Sequence, residues 1–201
     1  RSIVATQMRA GLAVYIIGDL PELEALPHVA GVASMKDAER TRRVIDEVTS
    51  LLDAPRPAML VIDGWHSLYD DLREPLARIA SEGPEAGIHL VVTTQRWSAI
   101  RPNVRDLIGT RLELRLTEPM DSLIDRKQQE KLPAIPGRGL TPDGKVVQLV
   151  YTSGEDIAHL AAHTDQEPVP RLRVLPEAVD TRSLLDGQRI PLGIGGPNLE
   201  P

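Results

Sequence analysis

The sequence of 201 residues contains no cysteine and no phenylalanine, and it has two tryptophans and three tyrosines. Without cysteine the chain can form neither a disulfide nor a thiolate metal site, and it is compatible with a reducing compartment. Its apolar runs are all shorter than the roughly 20 residues that a membrane-spanning helix needs. The first ten residues resemble the middle of a helix and carry no initiator methionine, so we expect a piece of a longer protein.

The chain also lacks an excess of positive charge. Its formal net charge is -6, which argues against a broad basic surface for DNA but leaves a local basic patch open. With 41% hydrophobic and 26% charged residues, the composition is typical of a soluble globular protein. The length suffices for one domain with an appendage, or for two small domains.

The most informative motif is the apolar run 58–62, which ends in Asp63 and continues with Gly64 and Trp65. A buried parallel strand that delivers a carboxylate to the edge of a sheet has this pattern, and in P-loop ATPases it is the Walker B strand, whose Asp helps to hold Mg²⁺. The alternative is an Asp that caps a helix or turn. The phosphate-binding loop Gly-x-x-x-x-Gly-Lys-Ser/Thr that usually accompanies Walker B occurs nowhere in the 201 residues.

Apolar and amphipathic segments alternate along residues 1–164. The pattern predicts strands over 12–17, 58–63, 88–94, 111–116 and 145–150, and helices over 1–10, 37–52, 71–82, 102–109, 121–131 and 153–163. Alternation at this spacing is typical of an α/β fold, with a mostly parallel sheet covered by helices on both faces in three layers. Strand 111–116 alternates leucine with charged residues, so we expect it to bury one face near a sheet edge, with Arg111 and Arg115 in solvent.

Residues 165–201 differ from the domain at 1–164 in composition and in hydrophobic pattern. They are rich in proline and show little periodicity, which indicates a linker between modules. We expect this linker to be docked and extended rather than disordered, because several of its apolar residues could fill surface grooves: Leu172, Val174, Leu175, Ile190 and Leu192.

Active groups in open α/β sheets lie at the carboxyl ends of the strands. This rule predicts that Asp19, Asp63 and the segment 93–97 are neighbours. Gln95, at the tip of the strand after Walker B, suits contact with a γ-phosphate or an attacking water, although a plain surface loop is the alternative. A second acid often follows the Walker B Asp, and here Gly64 takes that place, so we expect slow hydrolysis.

A set of segments in fixed order and spacing resembles the FtsK/SpoIIIE ATPase family: 91–96, 109–116, 121–122 and 137–139. The Asp-Gly-Trp ending at 63–65 and the segments 26–32 and 124–127 narrow the resemblance to the EccC ATPases of type VII (ESX) secretion systems, and within these to the middle, degenerate ATPase module. The resemblance covers about residues 1–150, and the segment 190–194 looks like the opening strand of a following module.

The resemblance implies a RecA-like P-loop NTPase fold whose first strand and Walker A loop lie upstream of Arg1. It implies ATP and Mg²⁺ as cofactors, with Asp63 and Gln95 as catalytic residues and Asp63 as the metal ligand. Thr94, Gln95 and Arg138 join Asp63 in nucleotide binding, and Arg138, in a glycine-flanked loop, is a candidate arginine finger for a neighbouring subunit.

The same resemblance implies partners and a location. The expected partners are other ATPase modules of the same protein in a ring, other ESX membrane-complex components, and secreted WXG-type substrates, without nucleic acid. The expected location is the cytoplasmic side of the inner membrane, as a soluble part of an anchored protein that supports export. Two alternatives stay open: a DNA-translocating motor of FtsK or HerA type, and a module without nucleotide that binds linker or export-signal peptides.

The two tryptophans, Trp65 and Trp97, follow neighbouring strands of the predicted sheet. Together they could line an apolar pocket for a linker or a peptide, or they could simply pack loops over the sheet. His159 and His163 have the four-residue spacing that can pair ligands on zinc. No third ligand supports that interpretation, so we expect a solvated helix face there and no metal.

Overall fold

The computed structural model describes residues 1–176, 178–180 and 194–196. Its main sheet has four parallel strands in the order β2-β1-β3-β4. These strands are β1 Ala13–Ile17, β2 Val29–Ala33, β3 Ala58–Asp63 and β4 Ile88–Thr93. Strand β3 is buried along its whole apolar run and exposed only at Asp63. The strand that carries the predicted Walker B acid thus lies inside the sheet, as its sequence indicates.

Helices cover both faces of this sheet. The first and last helices, α1 (Ser2–Thr6) and α6 (Gly154–Ala162), contribute to the apolar cluster on one face. The cluster on the other face is built with α2 (Ala38–Asp53) and α3 (Arg73–Glu82). The predicted three-layer α/β architecture is confirmed.

Two helices begin where the sequence predicts. The side chain of Asp37 accepts a hydrogen bond from the backbone N–H of Arg40 at 2.9 Å and so caps α2. At α6, Ser153 and Asp156 form a reciprocal capping box. Caps of this kind contribute about 1 kcal/mol each, because they satisfy backbone donors that the helix leaves unpaired.

Strand β2 was not predicted, since residues 21–36 read as a loop with prolines. In the structure Pro21–Ala25 forms a single 3-10 turn, and Val29–Ala33 then pairs in parallel with β1. Every residue of β2 is buried although the strand contains Gly31. The strand exists because β1 offers it a backbone edge, which is a tertiary cause that local sequence does not show.

A second, smaller sheet follows the main one. It is antiparallel, in the order β5-β6-β7, with β5 Glu113–Leu114, β6 Arg138–Leu140 and β7 Val146–Gln148. Helix α5 (Arg126–Lys131) lies between β5 and β6 in the chain, whereas the short helix α4 (Pro102–Arg105), which precedes the small sheet, packs against α3 of the main body. The strands predicted at 111–116 and 145–150 therefore belong to a separate sheet, and its middle strand lies within 133–144, where the sequence pattern predicted neither strand nor helix.

The orientation of β5 reverses the sequence expectation. Its neighbouring leucines, Leu112 and Leu114, are 44% and 48% exposed, while Glu113 is 3% exposed. Simple amphipathic alternation predicts the opposite. A specific set of partners for Glu113 explains the reversal and is described with the site below.

The tail (residues 164–176) runs along the edge of β2. The backbone N–H of Val169 donates to Pro27 O at 2.9 Å, and that of Leu172 donates to Ala30 O at 2.7 Å. Leu172 packs closely over Gly31, where an added Cβ would lie 2.8 Å from Leu172 Cβ. The prediction of a docked, extended segment is confirmed for residues 169–172, whereas Leu175, expected to fill a groove, is 51% exposed. Ile190, Leu192 and most of the predicted strand 190–194 lie outside the described residues.

No helix in the described ranges is both long enough and apolar enough to cross a membrane.

Candidate functional site

The carboxyl ends of three parallel strands meet at the site. In the register of the sheet, Asp63 on β3 lies opposite Thr93 on β4, and Ile62 lies opposite Ile17, the last residue of β1. Gly18 follows β1 so closely beside β3 that a Cβ there would lie 2.8 Å from the Cβ of Asp63. The absence of a side chain at position 18 is therefore what lets the end of β1 approach Asp63.

A hydroxyl group fixes the carboxylate of Asp63. The Oγ1 of Thr93 donates to Asp63 Oδ1 at 2.7 Å and accepts from the backbone N–H of Gly64 at 2.9 Å. This bridge ties the end of β3 to the end of β4 through both a side chain and the backbone. The carboxylate is thereby oriented while Asp63 stays exposed.

Thr93 begins the segment 93–97 that was predicted to lie beside Asp63, but the sequence analysis assigned the nucleotide-binding role to the next residue, Thr94. The hydroxyl of Thr94 instead donates to Arg96 O at 3.0 Å and so shapes the loop after β4. The equal lengths of the apolar runs in β3 and β4 could have identified Thr93 as the residue opposite Asp63.

Gln95 lies at the tip of the loop that follows β4. Its side chain is exposed, and within the described residues it makes no hydrogen bond. It therefore stands free at the edge of the sheet that carries Asp63. Asp19, the third expected neighbour, accepts a hydrogen bond from Ser34 Oγ at 2.5 Å, which joins the ends of β1 and β2.

Positive charge reaches the site from the start of α1. The pKa of the Arg1 guanidinium is raised mainly by its hydrogen bond and ion pair with Glu22, with a smaller contribution from the carboxylate of Asp63. Arg1 thus lies within electrostatic range of Asp63.

A buried carboxylate lies behind the loop 94–97. Glu113 receives four hydrogen bonds, from Ser122 Oγ at 2.6 Å, Leu123 N at 2.8 Å, Gln129 Nε2 at 3.3 Å and Trp97 Nε1 at 3.3 Å. An unpaired buried charge costs several kcal/mol, so four donors are the reason why β5 can turn this residue inward. The sequence analysis missed this residue, because three of its donors lie 9 to 16 residues further along the chain.

The two arginines of strand 111–116, both expected in solvent, differ: Arg115 is exposed, as expected, whereas Arg111 is partly buried. The guanidinium of Arg111 lies 5.2 Å from the ring centroid of Trp97, a cation–π geometry. Arg115 Nε donates to Leu132 O at 3.1 Å. Arg111 and Arg115 lie on the same face of the strand as Glu113. Because Glu113 points inward, both arginines can contact neighbouring segments of the domain.

Arg138 lies on β6, in the small sheet rather than the main one. Its backbone carbonyl accepts from Arg115 N at 3.1 Å. Its side chain is partly buried, and the Nε atom is enclosed without a hydrogen-bond partner within the described residues. Its proposed role toward nucleotide stays a prediction.

The two tryptophans occupy different environments. Trp65 is 1% exposed and belongs to the apolar core on the α2 and α3 face, and its Nε1 has no partner within the described residues. Trp97 is partly buried and packs against the same core. The burial of Trp65 favours the alternative that this residue packs loops over the sheet. The peptide pocket stays a prediction, and of the two tryptophans Trp97 is the one that could contact a peptide at the surface.

His159 and His163 stack on each other at the end of α6. Their ring centroids are 4.1 Å apart, and His163 Nδ1 lies 2.8 Å from His159 O. In the part of the chain that the structure describes, no group of three or more His, Cys, Asp or Glu residues could hold a metal ion.

Comparison with known proteins identifies the family. The sequence profile of the FtsK/SpoIIIE family matches residues 12–164. The ESX secretion system protein EccC of Thermomonospora curvata is 33% identical over 92% of this chain and 18% of its own length. The ESX-4 secretion system protein EccC4 of Mycobacterium tuberculosis is 31% identical over 84% of this chain and 16% of its own length. The chain thus spans less than a fifth of either relative.

Solved structures agree with the sequence comparison. A structure of Thermomonospora curvata EccC, containing ATPases 2 and 3 in complex with a signal sequence peptide, superposes with a TM-score of 0.77 at 31% identity, over 94% of this chain and 44% of that one. EssC from Geobacillus thermodenitrificans, at 16% identity and a TM-score of 0.71 over 100% of this chain and 50% of that one, shows the same fold. The chain belongs to the FtsK/SpoIIIE family, and its similarity is to the ATPase modules of EccC proteins.

Proposed function

We propose that this chain is part of an ATP-binding module of a type VII secretion ATPase, and that the module holds Mg²⁺-nucleotide at the ends of β3 and β4 and hydrolyses it slowly. The observation that carries the proposal is the bridge from Thr93 to Asp63, which presents an oriented, exposed carboxylate at the edge of a parallel sheet. That is where open α/β sheets bind their ligands.

The residues at this edge fit a magnesium ion. Mg²⁺ prefers oxygen ligands, and Asp63 offers a carboxylate whose second oxygen is left available when Oδ1 is bonded to Thr93. Such an ion, when bound, neutralises charge on the phosphates during transfer. Asp63 would hold the ion. Gln95 would contact the terminal phosphate, and Thr94 would join it in binding the nucleotide by holding the loop after β4. Arg138 would act toward the nucleotide of a neighbouring module.

The phosphates need a second set of donors, because no phosphate-binding loop occurs in the sequence. Without such a loop, the chain as it stands is expected to bind ATP weakly or not at all.

Slow hydrolysis follows from the residue after Asp63. Gly64 has φ +100° and ψ 55°, in the left-handed region. An acidic residue at this position would have to adopt a backbone conformation that residues other than glycine rarely adopt. Related ATPases carry a water-polarising acid at this position. Here the residue is glycine, and its backbone conformation also disfavours an acid.

The setting of the module is proposed from its relatives. These are ESX secretion proteins, and one solved relative binds a signal sequence peptide. We therefore place the module beside other ATPase modules of the same protein, in a ring on the cytoplasmic side of the inner membrane. There it would work with other ESX membrane components in exporting WXG-type substrates across the actinobacterial inner membrane.

The test uses a longer protein with its residues ahead of Arg1, measured by calorimetric titration of ATP with and without Mg²⁺ and by phosphate release. We expect Mg²⁺-dependent binding, turnover well below about 1 s⁻¹, and a large loss of Mg²⁺ dependence in Asp63→Asn. Rapid hydrolysis that Asp63→Ala abolishes would refute slow turnover. Salt-dependent binding of duplex DNA would instead favour a DNA-translocating motor.

A further inference from the structure

We infer that Glu113 is a positioning residue for the nucleotide response, acting through Trp97 on the loop 94–97 that carries Gln95. The inference rests on the proposed function, in which Gln95 contacts the terminal phosphate of ATP. Glu113 itself lies 3% exposed behind the loop and touches no nucleotide in this proposal.

Trp97 is held from two sides by one short segment. Its indole N–H donates to Glu113 Oε1 at 3.3 Å, and the guanidinium of Arg111 lies over its ring at 5.2 Å. Contact at the edge and at the face of the ring leaves the side chain little freedom to turn. Because Trp97 is two residues from Gln95, its position limits where the loop can lie.

The carboxylate that holds Trp97 is itself immobile. Each of its oxygens receives two hydrogen bonds: Oε1 from Trp97 Nε1 and Leu123 N, and Oε2 from Ser122 Oγ and Gln129 Nε2. A carboxylate saturated in this way cannot rotate without losing donors. Trp97 is therefore attached to a fixed point in the region between β5 and α5.

Gln95 depends on this attachment because its own side chain has no hydrogen bond within the described residues. One end of its loop is fixed where Thr93 bonds to Asp63, and the other where Trp97 bonds to Glu113. Packing alone does not explain Glu113, since β5 exposes Leu112 and Leu114 in order to bury it. The inward turn gains four hydrogen bonds to Glu113, and the one from Trp97 links this carboxylate to the loop that carries Gln95.

The experiment compares ATP with ADP, because a displaced Gln95 loses contact with the γ-phosphate only. In a longer protein with its phosphate-binding loop, calorimetric titration gives the ratio of ATP to ADP affinity. We expect this ratio to fall about tenfold in Trp97→Phe, which keeps a ring but removes the N–H, and in Glu113→Gln, the loss of one hydrogen bond to a charged group being of that size. Gln95→Ala sets the reference for full loss.

The matched control is Trp65→Phe. It makes the same chemical change at the other tryptophan, whose indole N–H has no partner within the described residues. We expect it to lower the thermal midpoint without changing the ATP to ADP ratio. If Glu113→Gln does not fold, Trp97→Phe carries the test alone.

A second measurement needs no nucleotide. The chain has two tryptophans and hence two indole N–H signals in a ¹⁵N-correlated NMR spectrum. Glu113→Gln should shift the Trp97 signal and leave the Trp65 signal in place. An unshifted Trp97 signal overturns the inference.

The outcomes separate the inference from the function on which it rests. If Gln95→Ala lowers the ATP to ADP ratio while Trp97→Phe and Glu113→Gln leave it unchanged, the inference is overturned and the proposed function stands. If ATP is not bound at all, or Gln95→Ala has no effect, the proposed role of the site fails and the inference falls with it.

Discussion

Replacing Gly31 by alanine is expected to detach the tail from the edge of β2. An added Cβ would lie 2.8 Å from Leu172 Cβ, closer than packed carbon atoms approach, and 3.2 Å from its Cδ2, a tight contact. Strand β2 is buried between β1 and the tail, so the tail is the part that can move. It would give up the hydrogen bond from Leu172 N to Ala30 O and the apolar contacts of the leucine.

The size of the effect follows from those contacts. One backbone hydrogen bond contributes about 1 kcal/mol, and partial burial of a leucine side chain contributes about 1 to 2 kcal/mol. Alanine in place of glycine offsets roughly 0.5 kcal/mol through the unfolded chain. We therefore expect Gly31→Ala to lower the free energy of unfolding by about 2 kcal/mol, which lowers the thermal midpoint of a domain of this size by about 4 to 8 °C.

Two assays check this expectation. Thermal unfolding followed by circular dichroism measures the midpoint, and limited trypsin digestion measures access to the bond after Arg171. That side chain is held by Glu24 O at 2.9 Å and by Val29 O when the tail is docked. Gly31→Ala should expose this bond to cleavage.

A double mutant tests the cause. Leu172→Gly removes the Cβ that meets the added methyl group, so Gly31→Ala should cost much less in the Leu172→Gly background than alone. Equal costs in the two backgrounds, or Gly31→Ala with wild-type stability and an uncleaved tail, would refute the argument from close packing.

The remaining predictions concern the site and one buried histidine. Thr93→Val should weaken Mg²⁺-dependent ATP binding about tenfold, because Asp63 loses a hydrogen bond to its charged oxygen, whereas Thr93→Ser should bind as wild type in the same titration. Gly64→Glu should lower the free energy of unfolding by about 1 to 2 kcal/mol, because φ is +100° there. It should not raise phosphate release above that of Gly64→Ala, and a strong gain would show that the backbone accepts an acid. Burial lowers the pKa of His28, whose Nε2 lies 2.9 Å from Val4 O, so the unfolded chain binds the proton more readily than the folded one. Stability is then complete above the unfolded pKa of about 6.5 and falls as the pH drops below it. Urea titrations between pH 5 and 8 should show this slope in the wild type and a weaker slope in His28→Gln.

Much of the fold could be predicted because its main signals are local. The apolar runs of β1, β3 and β4 and the caps at Asp37 and Ser153 can be recognised without knowledge of their neighbours. The small sheet was harder. A hairpin joins β6 to β7 through Gly144 at φ +77°, after Asp143. An Asp-Gly pair between apolar segments is a strong hairpin signal, but the strand predictions did not use it.

The candidate site could be predicted only in part for a similar reason. Asp63 ends its own apolar run, so the sequence identifies it. Thr93 and Glu113 acquire their roles from partners that only the folded chain brings near them, across a strand register in one case and from the segment 122–129 in the other. Alternation in strand 111–116 indicated a buried leucine face, because periodicity carries no information about hydrogen-bond donors further along the chain.

The open side of β4 has a consequence for how this chain behaves in concentrated solution. Strand β3 is covered along its apolar run, but Leu90, Val91 and Val92 of β4 are only partly buried. In the described residues, no strand pairs with the outer side of β4. Unpaired backbone beside apolar, β-branched residues is a template for strand pairing between molecules. The outer side of β4 is thus where we expect isolated chains to associate, and their net charge opposes that association.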